Sequence, residues 1–244
     1  MSENTAAVSE IEHPAARRGL VLDEVVLVGR MLDEYRRFFS LDLDALHGRT
    51  VLDVASGVSS FCVEANALGI RATACDAIYE LDHAVIRARC ARDLEKVTRA
   101  MSGLQTYRWE TIGGLEAMHG LREQAYLKFL ADYPAQRGTR YVPGVLPVLP
   151  FADRSFDLTL CSYLLFVYEE HFDYEFHRQS LLEIMRVTRN EARFYPTVNY
   201  ECARSEHLMR MLEDKALRHL RFEIVPTDFE FLRNSNNCLH VTRK

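Results

Sequence analysis

A carboxylate inside the apolar stretch Val51-Leu52-Asp53-Val54 is followed by Ala55-Ser56-Gly57-Val58-Ser59-Ser60, and 23 residues after Asp53 a second carboxylate, Asp76, closes Arg71-Ala72-Thr73-Ala74-Cys75. An acid at the carboxyl end of a second parallel strand can accept hydrogen bonds from both hydroxyls of a ribose, which makes Asp76 the leading candidate for holding a nucleotide-type ligand. The turn between the two acids narrows the choice. A dinucleotide fingerprint needs three glycines, because a pyrophosphate must approach bare backbone at a helix N-terminus. Only Gly57 is present; Ala55 and Ser60 stand at the first and third glycine positions. A ligand without phosphates asks less: one close backbone approach at Gly57, N–H groups around Ala55 and Ser59, and a carboxylate, Asp53, to face a cation.

The elements that must position these groups are half of a doubly wound unit. The periodicity predicts a strand over about 50–55, a helix over about 59–68 stopped by Gly69, and a strand over about 70–75. A second set lies downstream. Gly144-Val145-Leu146-Pro147-Val148-Leu149-Pro150-Phe151 leads through the polar turn Ala152-Asp153-Arg154-Ser155 into Phe156-Asp157-Leu158-Thr159-Leu160-Cys161-Ser162, a short apolar run of the kind a strand buried on both faces requires. Cys161 and Ser162 keep the end of that strand slim where a ligand approaches.

The order of strand, Asp53-x-Ala55-x-Gly57 turn, helix and Asp76, with the later Leu-Pro-Phe step and Phe156-Asp157 strand, resembles class I S-adenosylmethionine-dependent methyltransferases, including bacterial members of unassigned substrate. The resemblance is close over residues 50–76 and 141–166. It implies an α/β, doubly wound, Rossmann-like seven-stranded sheet with a C-terminal antiparallel hairpin, and S-adenosyl-L-methionine as cofactor. It places the methionine part of the cofactor over the turn with Asp53, Ala55, Gly57 and Ser59, the ribose on Asp76, and Ser162 beside the cofactor. Many members carry an acid after the glycine of the third motif; Val145 stands there, so adenine must be read by backbone or by another side chain. In the family a helix before the first strand often covers the cofactor. Arg30 then either meets the methionine carboxylate or lies on the surface, and Tyr35 either packs near the ligand or in the core.

The alternatives are an NAD(P)-dependent oxidoreductase, resting on the Asp53-to-Asp76 spacing, and a non-catalytic S-adenosylmethionine-binding regulatory domain. The leading expectation is methyl transfer to an oxygen or nitrogen of a small molecule. A methyl sulfonium is already an activated electrophile, so such an enzyme works mainly by alignment and exclusion of water. If a hydroxyl or ammonium is the acceptor, something must take its proton. The segment Tyr168–His177 offers Glu169, Glu170, His171 and His177, of which His171 is the candidate base; a histidine among aromatics serves equally as a packing or surface residue.

Other features bound the answer. The chain has 244 residues, 30 basic and 35 acidic, for a net charge of -5, which argues against a nucleic-acid partner. Six cysteines without a C-x-x-C pair read as reduced apolar residues. No apolar run reaches the ~18 residues of a membrane span, and residues 1–12 have no apolar leader segment, so the expectation is cytoplasmic. The nine histidines show no H-E-x-x-H spacing, and no metal site is expected. The sequence leaves the oligomeric state open.

Along the chain, residues 1–18 read as a mobile arm and 19–244 as one domain. Val25, Val28, Leu32, Tyr35 and Phe39 predict a helix over 21–39. Residues 78–135 predict an insertion of two or three helices broken at Gly103, Gly113-Gly114 and Gly120. Together with the aromatic segment Phe166–Phe176, and with Trp109 among its rings, this insertion is expected to wall a pocket over Gly57 and Ser162. A helix over 205–218 precedes strands at about 221–226 and 238–243, joined through Asn234-Ser235-Asn236-Asn237.

Overall fold

The computed structural model describes residues 25–244. Seven strands form one sheet: β1 Thr50–Val54, β2 Arg71–Asp76, β3 Tyr141–Pro143, β4 Phe156–Ser162, β5 Thr188–Tyr195, β6 Leu220–Pro226 and β7 Asn237–Arg243, in the order β3-β2-β1-β4-β5-β7-β6. Strands β1 to β5 pair in parallel; β7 runs antiparallel between β5 and β6. The helices are α1 Leu32–Phe38, α2 Phe61–Ala67, α3 His83–Met101, α4 Leu115–Gln136, α5 Tyr174–Val187 and α6 Glu206–Glu213. This is the doubly wound sheet with an antiparallel C-terminal pair and a helical insertion after β2 that the sequence led us to expect.

Successive residues of a strand face opposite sides, and the strands obey this. Val51, Ala72, Ala74, Leu158 and Leu160 join one core cluster, with Tyr35, Phe61, Phe129 and Tyr133 from α1, α2 and α4. Leu52, Val54, Cys75 and Cys161 join the other, with Leu181, Ile184 and Leu208 from α5 and α6. Both faces are covered, so the central strands read as continuous apolar runs. The carboxyl ends of β1, β2 and β4 are thereby held rigidly at one edge, where the order reverses between β1 and β4 and a crevice opens.

Four expectations change. The helix expected over 21–39 is helical only at Leu32–Phe38; residues 25–31 are an extended strap, and 21–24, like the arm expected at 1–18, lie outside the described residues. The strap gives its backbone groups to tertiary partners: Leu27 N–H donates to Asp93 Oδ2 (3.1 Å), and the Arg30 carbonyl accepts from Ser59 Oγ (2.7 Å) and Ser60 N (3.0 Å). Gly29 allows the crossing, since a Cβ there would stand 2.3 Å from the Val58 carbonyl oxygen. Gly120 does not break the insertion but lies inside α4. Packing of Phe129 and Leu130 outweighs a glycine penalty of ~1 kcal/mol. Pro134 also sits inside α4, and the Leu130 carbonyl it leaves without a helical donor lies 3.2 Å from His83 Nε2.

The helix expected over 205–218 stops at Glu213, where Asp214 caps a short turn by accepting from Ala216 N (2.8 Å). The last two strands do pair antiparallel. Their connection spans 227–236, carrying Phe229, Phe231 and Leu232 into the core, rather than the polar tetrad alone; Asn237 already belongs to β7.

Candidate functional site

At the end of β1 the chain turns through Ala55 and Gly57, both with φ of 55°. This left-handed conformation costs an L-residue such as Ala55 roughly 1–2 kcal/mol. The turn is locked to β2, with Ala55 N–H donating to the Cys75 carbonyl (2.8 Å). Asp76 fastens it from the other side: Oδ2 accepts from Gly57 N (2.9 Å) and Oδ1 from Ile78 N (3.0 Å). Burial raises the Asp76 carboxyl above its ordinary value against the pull of these two donors. Each oxygen keeps a second lone pair, and Asp76 lines a cavity.

That cavity has a volume of about 490 Å³, within the range of small-molecule sites. Ala55, Gly57, Ser59, Asp76, Ile78, Val145, Leu146 and Ser162 form its sheet-edge end. A Cβ on Gly57 would meet no atom within 4 Å, so the space over this turn is open. The opposite end is apolar and aromatic: Met101, Tyr107 and Met118 come from the insertion, Tyr168, Phe172 and Phe176 from the aromatic segment, and Phe231 from the β6–β7 connection. The strap at Val25–Val28 lies across it. The expected pocket is therefore present, with one change: Trp109 is not in its lining. Its indole donates to the Leu104 carbonyl (3.2 Å) and its ring meets Tyr107 and Phe231, which take the wall position instead.

Asp53, expected at the ligand, and Tyr35, for which a core position was the alternative, are absent from the cavity lining and buried. Asp53 is fully buried and accepts on Oδ2 from Tyr35 Oη (2.9 Å) and Ser56 Oγ (2.6 Å), while Oδ1 has no partner. Tyr35, flat against Phe61 with ring centroids 4.4 Å apart, lies 3.1 Å from Ser162 Oγ. Its one proton goes to Asp53, so Ser162 donates to it. Asp53 and Tyr35 thus set the rotamer of Ser162, which does line the cavity. Burial pushes the Asp53 carboxyl up to about 7 against the hydrogen bonds it receives.

The acid–base candidates do not face the cavity. His171 is exposed, its ring edge-on to Tyr168 at 5.5 Å. Glu169 accepts from Asn199 Nδ2 (2.7 Å), Ser205 Oγ (2.5 Å) and Glu206 N (3.1 Å), tying the aromatic segment to the start of α6. Glu170 is exposed; His177 is buried with both ring nitrogens 2.7 Å from carbonyls, those of Asp173 and Leu165. Among the described residues, the titratable groups lining the cavity are Asp76, three arginines, tyrosines 107, 163, 168 and 200, and no histidine or glutamate.

Of the arginines, only Arg30 was singled out by sequence. Its guanidinium lies 3.4 Å over the Tyr163 ring, with Nη1 donating to the Val28 carbonyl (3.2 Å). Arg122 makes a buried two-pronged pair with Glu34, both contacts 2.6 Å, and reaches the Gly29 carbonyl (3.4 Å). Burial alone would raise the Glu34 carboxyl; Arg122 outweighs it and holds it below its ordinary value. Arg89 Nη2 stands 3.6 Å from Asp93. Glu34 and Arg122 are 88 residues apart, so no local spacing announces the pair. Phe231 did leave a signal, an apolar cluster inside what reads as a hairpin loop.

Among the described residues no cluster of three potential metal ligands occurs, and no helix is long and apolar enough to cross a membrane. No protein-family model matches the chain. An uncharacterized protein of the archaeon Methanocaldococcus jannaschii is 34% identical over 228 residues, covering 93% of this chain and all of the relative. Among solved structures, magnesium protoporphyrin IX methyltransferase from Synechocystis with bound S-adenosylmethionine is similar at a TM-score of 0.45 and 13% identity, over 87% of this chain and 78% of that one. A putative S-adenosylmethionine-dependent methyltransferase from Methanococcus maripaludis is similar at 0.41 and 12%, over 87% and 86%. Likeness of this degree assigns neither substrate nor cofactor.

Proposed function

The chain belongs to the same family as the Methanocaldococcus jannaschii protein, and we propose that both are S-adenosylmethionine-dependent methyltransferases acting on a small molecule. The observation that carries this is the sheet-edge end of the cavity: a single-glycine turn at Gly57, open above, with the Asp76 carboxylate beside it at the end of β2. The groups fit that cofactor. Asp76 has lone pairs for two ribose hydroxyls, Ile78, Val145 and Leu146 offer apolar surface for a purine, and Ala55, Gly57 and Ser59 floor the methionine part.

A dinucleotide fits less well. The donors that a pyrophosphate would use at the start of α2 are already engaged, Ser60 N–H by the Arg30 carbonyl (3.0 Å) and Phe61 N–H by Ser59 Oγ (3.2 Å). That engagement disfavours the oxidoreductase alternative.

When bound, the cofactor supplies an electrophilic methyl group. The chain's own residues orient and exclude. Ser162, fixed by Tyr35 and Asp53, stands at the end of β4 in the lining of the cavity. The strap and the aromatic segment keep water from the reacting atoms, and a nucleophilic oxygen or nitrogen of the acceptor is aligned from the aromatic end. With no histidine or glutamate among the described residues of the lining, acid–base help is the smaller part.

Calorimetry with S-adenosylhomocysteine and NAD, on the native protein and Asp76→Ala, tests the reading. S-adenosylhomocysteine should bind and NAD should not. Loss of a charged acceptor should weaken the former by about 10- to 100-fold. Tight NAD binding, or an Asp76→Ala affinity equal to the native one, would overturn it.

A further inference from the structure

Among the described residues, one charge at the aromatic end of the cavity has no carboxylate within ion-pair distance. Of the four charged residues in the lining, Arg122 is neutralised by Glu34, and Asp76 belongs to the sheet-edge end. Arg89 faces Asp93 and acts electrostatically on Asp76. Arg30 acts electrostatically on Glu34 and Asp53, but no carboxylate among the described residues lies within ion-pair distance of it, and a single carbonyl bond occupies one of its five donors.

Its position is specific. The Arg30 backbone is pinned at the Ser59–Ser60 turn, but the side chain leaves that turn and lies on the face of Tyr163, immediately after Ser162. Around it stand Tyr107, Tyr163, Tyr168 and Tyr200, phenols that burial keeps protonated while the Arg30 charge pulls each of them the other way. All four line the aromatic end. The guanidinium is therefore directed at the place where an acceptor would sit.

Building on the methyltransferase reading, we propose that the acceptor is a small molecule with an apolar body and a carboxylate, and that Arg30 binds that carboxylate. A planar fork fixed on an aromatic face matches a carboxylate through two parallel hydrogen bonds. A neutral acceptor would leave the half-buried cation without a carboxylate in hydrogen-bond contact; an ammonium would be repelled. A phosphate, with its second charge, would need further donors, and the nearby start of α2 has already given its own to Arg30 and Ser59.

The test uses 4-phenylbutyrate, its amide, 4-phenylbutylamine and phenyl phosphate as probes, titrated into the protein with and without saturating S-adenosylhomocysteine. The carboxylate should bind about 10- to 100-fold tighter than the amide or the amine. Arg30→Met should abolish that preference, and Arg30→Lys, which keeps the charge and loses the fork, should retain part of it. Affinity for S-adenosylhomocysteine should change by less than about threefold in Arg30→Met, a difference below ~1 kcal/mol. The inference is overturned if no carboxylate binds, if the amide or the phosphate binds as tightly, or if Arg30→Met weakens S-adenosylhomocysteine about tenfold or more while sparing 5′-methylthioadenosine. That last pattern would assign Arg30 to the amino-acid end of the cofactor. If S-adenosylhomocysteine itself fails to bind, the methyltransferase reading falls, and the titration without it still decides whether Arg30 selects carboxylates.

Discussion

Replacing Asp53 by Asn should stabilise the protein above neutral pH and leave it unchanged in acid. Asp53 is 0% exposed and, among the described residues, has no cationic partner within bonding reach and no partner for Oδ1. In the folded protein it holds its proton up to about pH 7, in the unfolded chain only to about 3.8. Between those values the folded state binds more protons than the unfolded one. The contribution of this group to stability therefore falls as pH rises through that interval and is flat above it. A displacement of about three pH units at 1.36 kcal/mol each corresponds to about 4 kcal/mol. Asparagine has the shape of the protonated acid, and its carbonyl oxygen can accept from both Tyr35 and Ser56 as Asp53 Oδ2 does. Urea unfolding of both proteins from pH 4.5 to 8.5 gives the difference directly. It should be at most about 1 kcal/mol at pH 4.5, where the unfolded acid is already mostly ionised, and grow to about 2–4 kcal/mol in favour of Asp53→Asn at pH 8. A difference independent of pH, or a native protein that is the more stable of the two at pH 8, would refute the assignment of a buried, uncompensated carboxylate.

Three further outcomes are expected besides the binding tests above. Gly29→Ala places a Cβ 2.3 Å from the Val58 carbonyl oxygen. The strap must shift off the turn, seen as faster hydrogen exchange at the Leu27 amide and weaker S-adenosylhomocysteine binding, whereas unchanged exchange would show that the crossing is not tight. Arg122→Met strands Glu34 and should cost about 3–5 kcal/mol in urea unfolding. The double variant Arg122→Met with Glu34→Leu should recover most of it, because a buried pair is costly chiefly when one partner is removed. Gly57→Ala adds a methyl group to the cavity at a φ of 55°. It should lose about 1–2 kcal/mol of stability and bind S-adenosylhomocysteine more weakly; native-like affinity would remove Gly57 from the ligand surface.

The sequence by itself determined the sheet edge. Strands β1, β2 and β4, the Gly57 turn and the placing of Asp76 are local matters of apolar period, turn chemistry and spacing, and they stand within a residue or two of where those patterns put them. The placing of Ala55, Ser59 and Ser162 on the cavity follows, since each is carried by its own strand or turn. The antiparallel C-terminal pair was legible for the same reason. Only the tertiary structure decided what covers that edge. The strap at 25–31 has the apolar spacing of a helix, yet its amides and carbonyls find partners in Asp93, Ser59 and Ser60, which no local pattern contains. Asp53 read as a ligand contact, Tyr35 as either a ligand neighbour or a core residue, and both are the buried support of Ser162, because depth below a surface is not encoded in spacing along a strand. His171 had the right chemistry in the right segment and was turned outward, while Arg89, Arg122 and Phe231 came to the cavity from elements far apart in the chain. Local propensity fixes where an element begins and which face is apolar; which distant side chain meets which carboxylate is set by the packing of whole elements, and the charge balance of the cavity exists only once that packing is complete.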